Sequence, residues 1–288
     1  MNNLQLSRRS FLVGLGACAC GSAVAEGTQE SVRFGAVSDI HFADLATSET
    51  RYYRESNTKL QRAVASMNAH HLDFAIELGD FKDHSGTKDA TLASLRTIEG
   101  VFAGFNGARY HVLGNHDVDC LAKSDFLGQV TNTGIDARET YYSFVKKGIT
   151  FIVLDADFSA DQDNAPLTNG GTNWKNSYVP PTERTWLADT LASAPGPAIV
   201  FSHQRLDPAA SADHAVNNAA EVRSILQRSN KVAGVFGGHA HVEGSYNAGG
   251  INYWALPALV ERPAAEGAVY HEVTCRADGC LTVTRFRV

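Results

Sequence analysis

Val32-Arg33-Phe34-Gly35-Ala36-Val37-Ser38-Asp39-Ile40-His41 reads as a short buried strand that ends in an aspartate and a histidine. The arrangement returns along the chain. Phe74 to Leu78 is followed by Gly79-Asp80, and Tyr110 to Leu113 by Gly114-Asn115-His116-Asp117. Ala198 to Ser202 delivers His203, and Val232 to Phe236 delivers Gly237-Gly238-His239-Ala240-His241. In α/β sheets the carboxyl ends of strands gather along one edge, so these groups are expected to converge despite the length of chain between them.

The intervening segments have the three-to-four-residue apolar spacing of amphipathic helices: Ser56 to Asn68, Ala90 to Phe102, Thr182 to Ala192 and Ala215 to Gln227. The alternation is that of an α/β fold. Tyr141 to Val145 and Ile149 to Leu154 read as a hairpin across Lys146-Lys147-Gly148, and two or three further strands fill the last forty residues. Ser159 to Pro181, rich in Asn, Gly, Thr and Pro, reads as a long loop, either a plain excursion or a substrate-contacting lid.

The donor types narrow the ligand chemistry. Carboxylate, imidazole and amide groups without thiolate suit Mn, Fe or Zn, with Co and Ni also compatible, and so many histidines disfavour an all-oxygen Mg or Ca cage. Asp39, His41, Asp80, Asn115, His203, His239 and His241 are too many for one open catalytic ion, so two divalent metal ions are expected, with a carboxylate such as Asp80 able to bridge them. In extended backbone, residues two apart project to the same side, which would aim Asp39 with His41, and His239 with His241, at one cluster.

The 288 residues are 44% apolar and 19% charged, enough for one sizeable core. A net charge of -6 offers no general attraction to polyanions, so no nucleic-acid partner is expected. At the N-terminus, Ser7-Arg8-Arg9-Ser10-Phe11-Leu12 and the short glycine-containing run from Val13 to Ala25 resemble a twin-arginine signal peptide. That resemblance implies a leader over residues 1–28, the twin-arginine export machinery as a partner, and a periplasmic or secreted mature domain over 29–288. The run is too short for a stable membrane span. Leu15-Gly16-Ala17-Cys18 resembles a lipobox, which gives lipid anchoring through Cys18 as the alternative. Without the leader, Cys120, Cys275 and Cys280 remain; Cys120 reads as a buried thiol, and Cys275 and Cys280 flank a turn that a disulfide would staple.

Asp39-x-His41, Gly79-Asp80, Gly114-Asn115-His116-Asp117, His203 and Gly238-His239-x-His241 together resemble the motif series of the calcineurin-like metallophosphoesterase superfamily. Phe34 to Asp39, Phe42-Ala43-Asp44-Leu45 and Arg51-Tyr52-Tyr53-Arg54 are also similar to the manganese-dependent ADP-ribose/CDP-alcohol diphosphatase group, which has glutamine where this chain has His41. The superfamily resemblance implies a four-layer αββα sandwich of two mixed β-sheets flanked by helices. It implies one ion on Asp39, His41, Asp80 and His241, and the other on Asp80, Asn115, His203 and His239. It makes His116 the substrate-facing acid and Asp83 the carboxylate that orients it.

The implied reaction is hydrolysis of a small-molecule phosphate ester by in-line attack of a hydroxide shared between two metals, without a covalent enzyme intermediate. A phosphodiester or diphosphate of nucleotide origin is the expected substrate; a phosphomonoester or a cyclic nucleotide is the alternative. The other class, a non-catalytic metal-binding module, has no use for His116. Arg51, Tyr52, Tyr53 and Arg54 follow the first ligand strand, where they would either hold a nucleobase or distal phosphate or start and pack the next helix.

Overall fold

A computed structural model describes residues 30–159, 165–166 and 173–288. The leader at 1–28, Cys18, and positions 160–164 and 167–172 of the long loop lie outside the described residues.

The opening strand, β1 (Ser31–Val37), is parallel to β2 (Phe74–Glu77), which is parallel to β3 (Ala108–His111). On its other side β1 pairs antiparallel with β12 (Val269–Arg276), which in turn pairs with β13 (Leu281–Arg287). Strand pleating sorts the β1 side chains: Val32, Phe34 and Ala36 enter one apolar core, while Val37 enters another. That second core is closed by Leu60, Ala63, Val64 and Met67 of α1 (Glu55–Ala69) and by Leu95, Ile98 and Phe102 of α2 (Lys88–Phe102).

The second sheet has the order β10 (Gly244–Ala248), β11 (Ile251–Ala255), β9 (Val232–Gly237), β8 (Ala198–Phe201), β5 (Ile149–Val153) and β4 (Tyr142–Lys146). The run from β11 through β5 is parallel and both edges are antiparallel. Leu187 and Leu191 of α4 (Pro181–Ser193), with Val222 and Leu226 of α5 (Ala219–Ser229), cover its outer face. A shorter helix, α3 (Lys123–Leu127), follows β3, and β6 (Phe158–Ser159) forms a two-residue antiparallel ladder with β7 (Ala165–Pro166).

Between the sheets lies an aromatic core. Phe34 stacks on Phe74 at 4.7 Å and meets Phe151, Phe201 and Phe236 edge-on, joining strands of both sheets. Rings of this size each bury on the order of 150–250 Å², so the contact is a main cohesive term between the layers. The result is the expected sandwich: helices, mixed sheet, mixed sheet, helices.

Four local expectations change. The β4–β5 connection is a two-residue turn, Lys147-Gly148, with both residues at positive φ (48° and 76°), because that mirror-image turn matches the strand twist. Helix α5 starts at Ala219, not Ala215, since Ala215 bridges Arg205 and the Val216 N–H is spent on the Arg205 carbonyl. Cys275 and Cys280 are not joined by a disulfide: Cys275 is buried and pairs with Leu281, one position beyond Cys280. Cys120, expected to be buried, is also corrected: it is half-buried and donates to Thr91 Oγ1.

Candidate metal centre

All seven expected ligands lie where strand ends of the two sheets meet. Asp39 and His41 follow β1, Asp80 follows β2 and Asn115 follows β3; His203 follows β8, and His239 and His241 follow β9. The extended geometry expected of the paired ligands is not found. Asp39, His41, Asp80, His239 and His241 have φ of 53°, 44°, 54°, 66° and 54°, all left-handed. The main chain turns each side chain inward, at roughly 1–2 kcal/mol per residue relative to ordinary backbone.

Hydrogen bonds hold these turns. The N–H groups of Asp39 and His41 donate to the carbonyls of Gly79 and Asp80, tying the β1 and β2 loops together. Buried Asp117 accepts from the N–H groups of Asp80, Phe81, Lys82 and Gly114. The Asp39 carboxylate accepts from Ser38 Oγ and from the His239 N–H. Gly238 is required for this approach, because a Cβ there would overlap Ser38 Oγ and Asp39 Oδ2.

Among the described residues three donor groups form: Asp39 with His41 and His241, Asp80 with His203 and His239, and, beside the first, His41 with Asp83 and His116. Asp80 Oδ2 is 3.1 Å from His203 Nε2 and 3.4 Å from His41 Nε2, so it stands between them. Asn115 is buried and lines the same cavity. The proton positions favour a cation. His41 Nδ1 donates to Asp83 Oδ2 at 3.1 Å and His241 Nδ1 to Glu261 Oε1 at 2.8 Å, yet their Nε2 atoms face each other at 3.1 Å. Two imidazole lone pairs directed at one space, with Asp39 Oδ1 3.5 Å from His241 Nε2, suit a divalent ion.

In the other set, His203 Nδ1 donates to the Leu78 carbonyl at 2.7 Å, leaving Nε2 toward Asp80, and His239 Nε2 is buried without a hydrogen-bond partner. The charges agree with that reading. Burial lowers His41 to about 4, which keeps it neutral. Burial opposes the opposite shift at His203, but Asp80, Asp39 and Asp157 raise it to about 10, an excess of negative charge that a divalent ion would answer.

His116 sits beside this centre. Its Nδ1 lies 3.6 Å from Asp83 Oδ1 and 3.5 Å from Asp119 Oδ2, and the ring lines the cavity. Against the effect of burial, Asp80, Asp119 and Asp83 raise His116 to about 10. Asp83 is therefore shared, with its closer contact to His41, and Asp119 is a second carboxylate at His116 that the sequence reading did not single out.

The cavity over the donors has a volume of about 320 Å³ and is lined by Arg51, Trp174, His214 and the centre's own residues. Arg51 Nη1 is 3.5 Å from Asp83. The rest of the Arg51–Arg54 group divides: Tyr53 hydrogen-bonds Arg51, Tyr52 donates its N–H to the Val260 carbonyl, and Arg54 turns to exposed Asp44. Tyr52 and Tyr53 also supply carbonyls to the Ser56 N–H at the start of α1. Trp174 meets His214 and His239 at centroid distances of 5.2 and 5.6 Å.

A family model described as calcineurin-like phosphoesterase matches residues 32–243. A manganese-dependent ADP-ribose/CDP-alcohol diphosphatase of Oryza sativa subsp. japonica is 29% identical, covering 83% of this chain and 86% of its own. An Arabidopsis thaliana protein of the same name is 28% identical, covering 80% and 86%. Among solved structures, a dimetal phosphatase from Danio rerio has a TM-score of 0.73 at 21% identity, covering 88% of this chain and 98% of that one.

Proposed function

The chain belongs to the calcineurin-like phosphoesterase family, and from that premise we propose a dinuclear-metal hydrolase that cleaves a diphosphate or phosphodiester bond in a nucleotide-derived small molecule. The observation that carries this reading is the pair of donor sets meeting at Asp80 on the floor of an open cavity, with His116 beside them. The relatives named for ADP-ribose and CDP-alcohols support the substrate class, and their manganese dependence supports Mn as the metal to test first.

Asp39, His41, Asp80 and His241 would hold one ion, and Asp80, Asn115, His203 and His239 the other. Bound divalent ions supply Lewis acidity toward phosphoryl oxygens and acidify water near neutral pH. The protein supplies the rest. His116, with Nδ1 turned to Asp83 and Asp119, presents Nε2 to the cavity and protonates the leaving oxygen. Arg51 offers a guanidinium to a second phosphate, and Trp174 offers a ring to a nucleobase. Ser7 to Leu12 supports export of the folded chain, and retention of an Arg8→Lys/Arg9→Lys precursor in the cytoplasm tests that.

The deciding experiment is a panel of ADP-ribose, CDP-alcohols, cyclic nucleotides and aryl phosphate mono- and diesters with the Mn-reconstituted chain. Preference for the diphosphates supports the reading. Preference for monoesters or cyclic nucleotides replaces the substrate class, and hydrolysis of none removes the enzyme.

A further inference from the structure

Residues 259–262 follow β11 and form neither helix nor strand, yet their backbone is bonded to three other segments. The N–H groups of Leu259, Val260 and Arg262 donate to the carbonyls of Ser38, Asp39 and Thr50, and the Val260 carbonyl accepts from the Tyr52 N–H. The carbonyls of Val260, Glu261 and Arg262 also converge on one atom, Lys59 Nζ, at 2.9, 3.3 and 3.0 Å. Consecutive carbonyls cannot meet at one point in an extended chain; Arg262, left-handed at φ 69°, supplies the necessary bend.

Lys59 is 1% exposed and projects from α1, an element read from sequence only as an amphipathic helix. An ammonium has three donors, and all three are spent on this loop. Burying it without such partners would cost several kcal/mol. The same loop carries Glu261, whose Oε1 accepts from His241 Nδ1 at 2.8 Å.

We infer that Lys59 and Glu261 are positioning residues for His241: the buried ammonium gathers the loop, and the loop presses the Glu261 carboxylate against Nδ1. The imidazole then keeps its Nε2 lone pair toward Asp39 and His41. This rests on the metal reading above. Neither residue touches substrate or the reacting atoms. The asymmetry is informative, because His203 on the other side is steadied by a backbone carbonyl and needs no such strut.

The test is Mn²⁺ binding to the full chain, by calorimetry and chelator competition. Glu261→Ala is expected to weaken one of the two binding events about 10–100-fold and leave the other unchanged, with Glu261→Gln intermediate. Lys59→Met is expected to weaken the same event. The double variant Lys59→Met/Glu261→Ala should be no weaker than Glu261→Ala alone, because both act through His241. Should Lys59→Met fail to fold, Lys59→Arg, whose planar fork cannot reproduce three convergent donors, is expected to show the same one-ion loss. Wild-type affinity in the Glu261 variants, equal weakening of both ions, or additive losses in the double variant would each overturn the inference while the metal centre stands. A wild-type chain that binds no Mn²⁺ overturns the centre and this inference together.

Discussion

His41 Nε2 and His241 Nε2 stand 3.1 Å apart although they are separated by 200 positions and follow strands of different sheets. With both Nδ1 atoms engaged by carboxylates, the approach makes sense around a shared cation. His241→Ala should therefore lower bound manganese from two ions to one under conditions that saturate the wild type, with affinity at the damaged site falling by more than about 100-fold, beyond what outer-shell partners contribute. Metal analysis after gel filtration reads this; two retained ions would reassign His241.

His116 contacts carboxylates on one side and the cavity on the other, but belongs to neither three-donor set that holds Asp39 or His203. His116→Ala should keep both ions and lose turnover by about 100-fold to 10,000-fold, the usual range for a positioned acid. Full activity with both ions bound would end the acid assignment and leave the centre intact.

Trp174 should matter to one part of the substrate only. If it stacks a nucleobase, Trp174→Ala should raise KM for a nucleoside diphosphate ester by about 10-fold, within the ~1–3 kcal/mol of base stacking, and leave KM for an aryl phosphate diester within about two-fold. A parallel change in both substrates would point to loop packing instead.

Stability should depend on pH through a group away from the metals. His111 is buried between Glu77 and Glu99, with Nδ1 2.9 Å from Glu77 Oε1 and Nε2 3.2 Å from Glu99 Oε2. Burial opposes protonation, but the two carboxylates raise His111 to about 9 from 6.5. A raised histidine stabilises fully below its unfolded value, so this contribution is complete below pH 6.5 and fades as pH rises toward 9. The loss is on the order of 3 kcal/mol. Urea unfolding at pH 6 and pH 9 should show it, and His111→Phe should flatten the difference; an unchanged slope in that variant would exclude the triad as its source.

A single methyl group at position 238 should be costly. Gly238→Ala places a carbon onto Ser38 Oγ and Asp39 Oδ2, and relief requires the β1 and β9 loops to separate. A stability loss of about 1–3 kcal/mol, with weaker manganese binding, is expected from thermal unfolding and titration. A variant with wild-type melting would mean the loops yield easily.

The strands and the residues ending them were legible because a buried parallel strand is a continuous apolar run, and an Asp or His after it interrupts the pattern at a fixed place. Direction was not legible. Asp39 and His41 share a face through left-handed turns, and no periodicity encodes those. Glu261 and Trp174 escaped for a related reason: each is an ordinary residue type in irregular chain, and its partner lies far away in sequence, whereas Asp119 stands only three positions from His116 and carries no pattern that marks it. Lys59 was hidden inside a helix whose apolar spacing explained it sufficiently. The Cys275–Cys280 reading failed on register, since one residue of offset moves a side chain across the pleat.

Each three-donor set that contains Asp39 or His203 takes residues from both sheets, Asp39 and His41 with His241, and Asp80 with His203 and His239. Ion occupancy therefore fastens one half of the molecule to the other at the end of the aromatic core. By mass action, free metal at 1,000 times its dissociation constant would add about 4 kcal/mol to the folded state. Resistance to heat and sensitivity to chelators then become one property, so a melting temperature for this protein has meaning only beside the free-metal concentration at which it was taken.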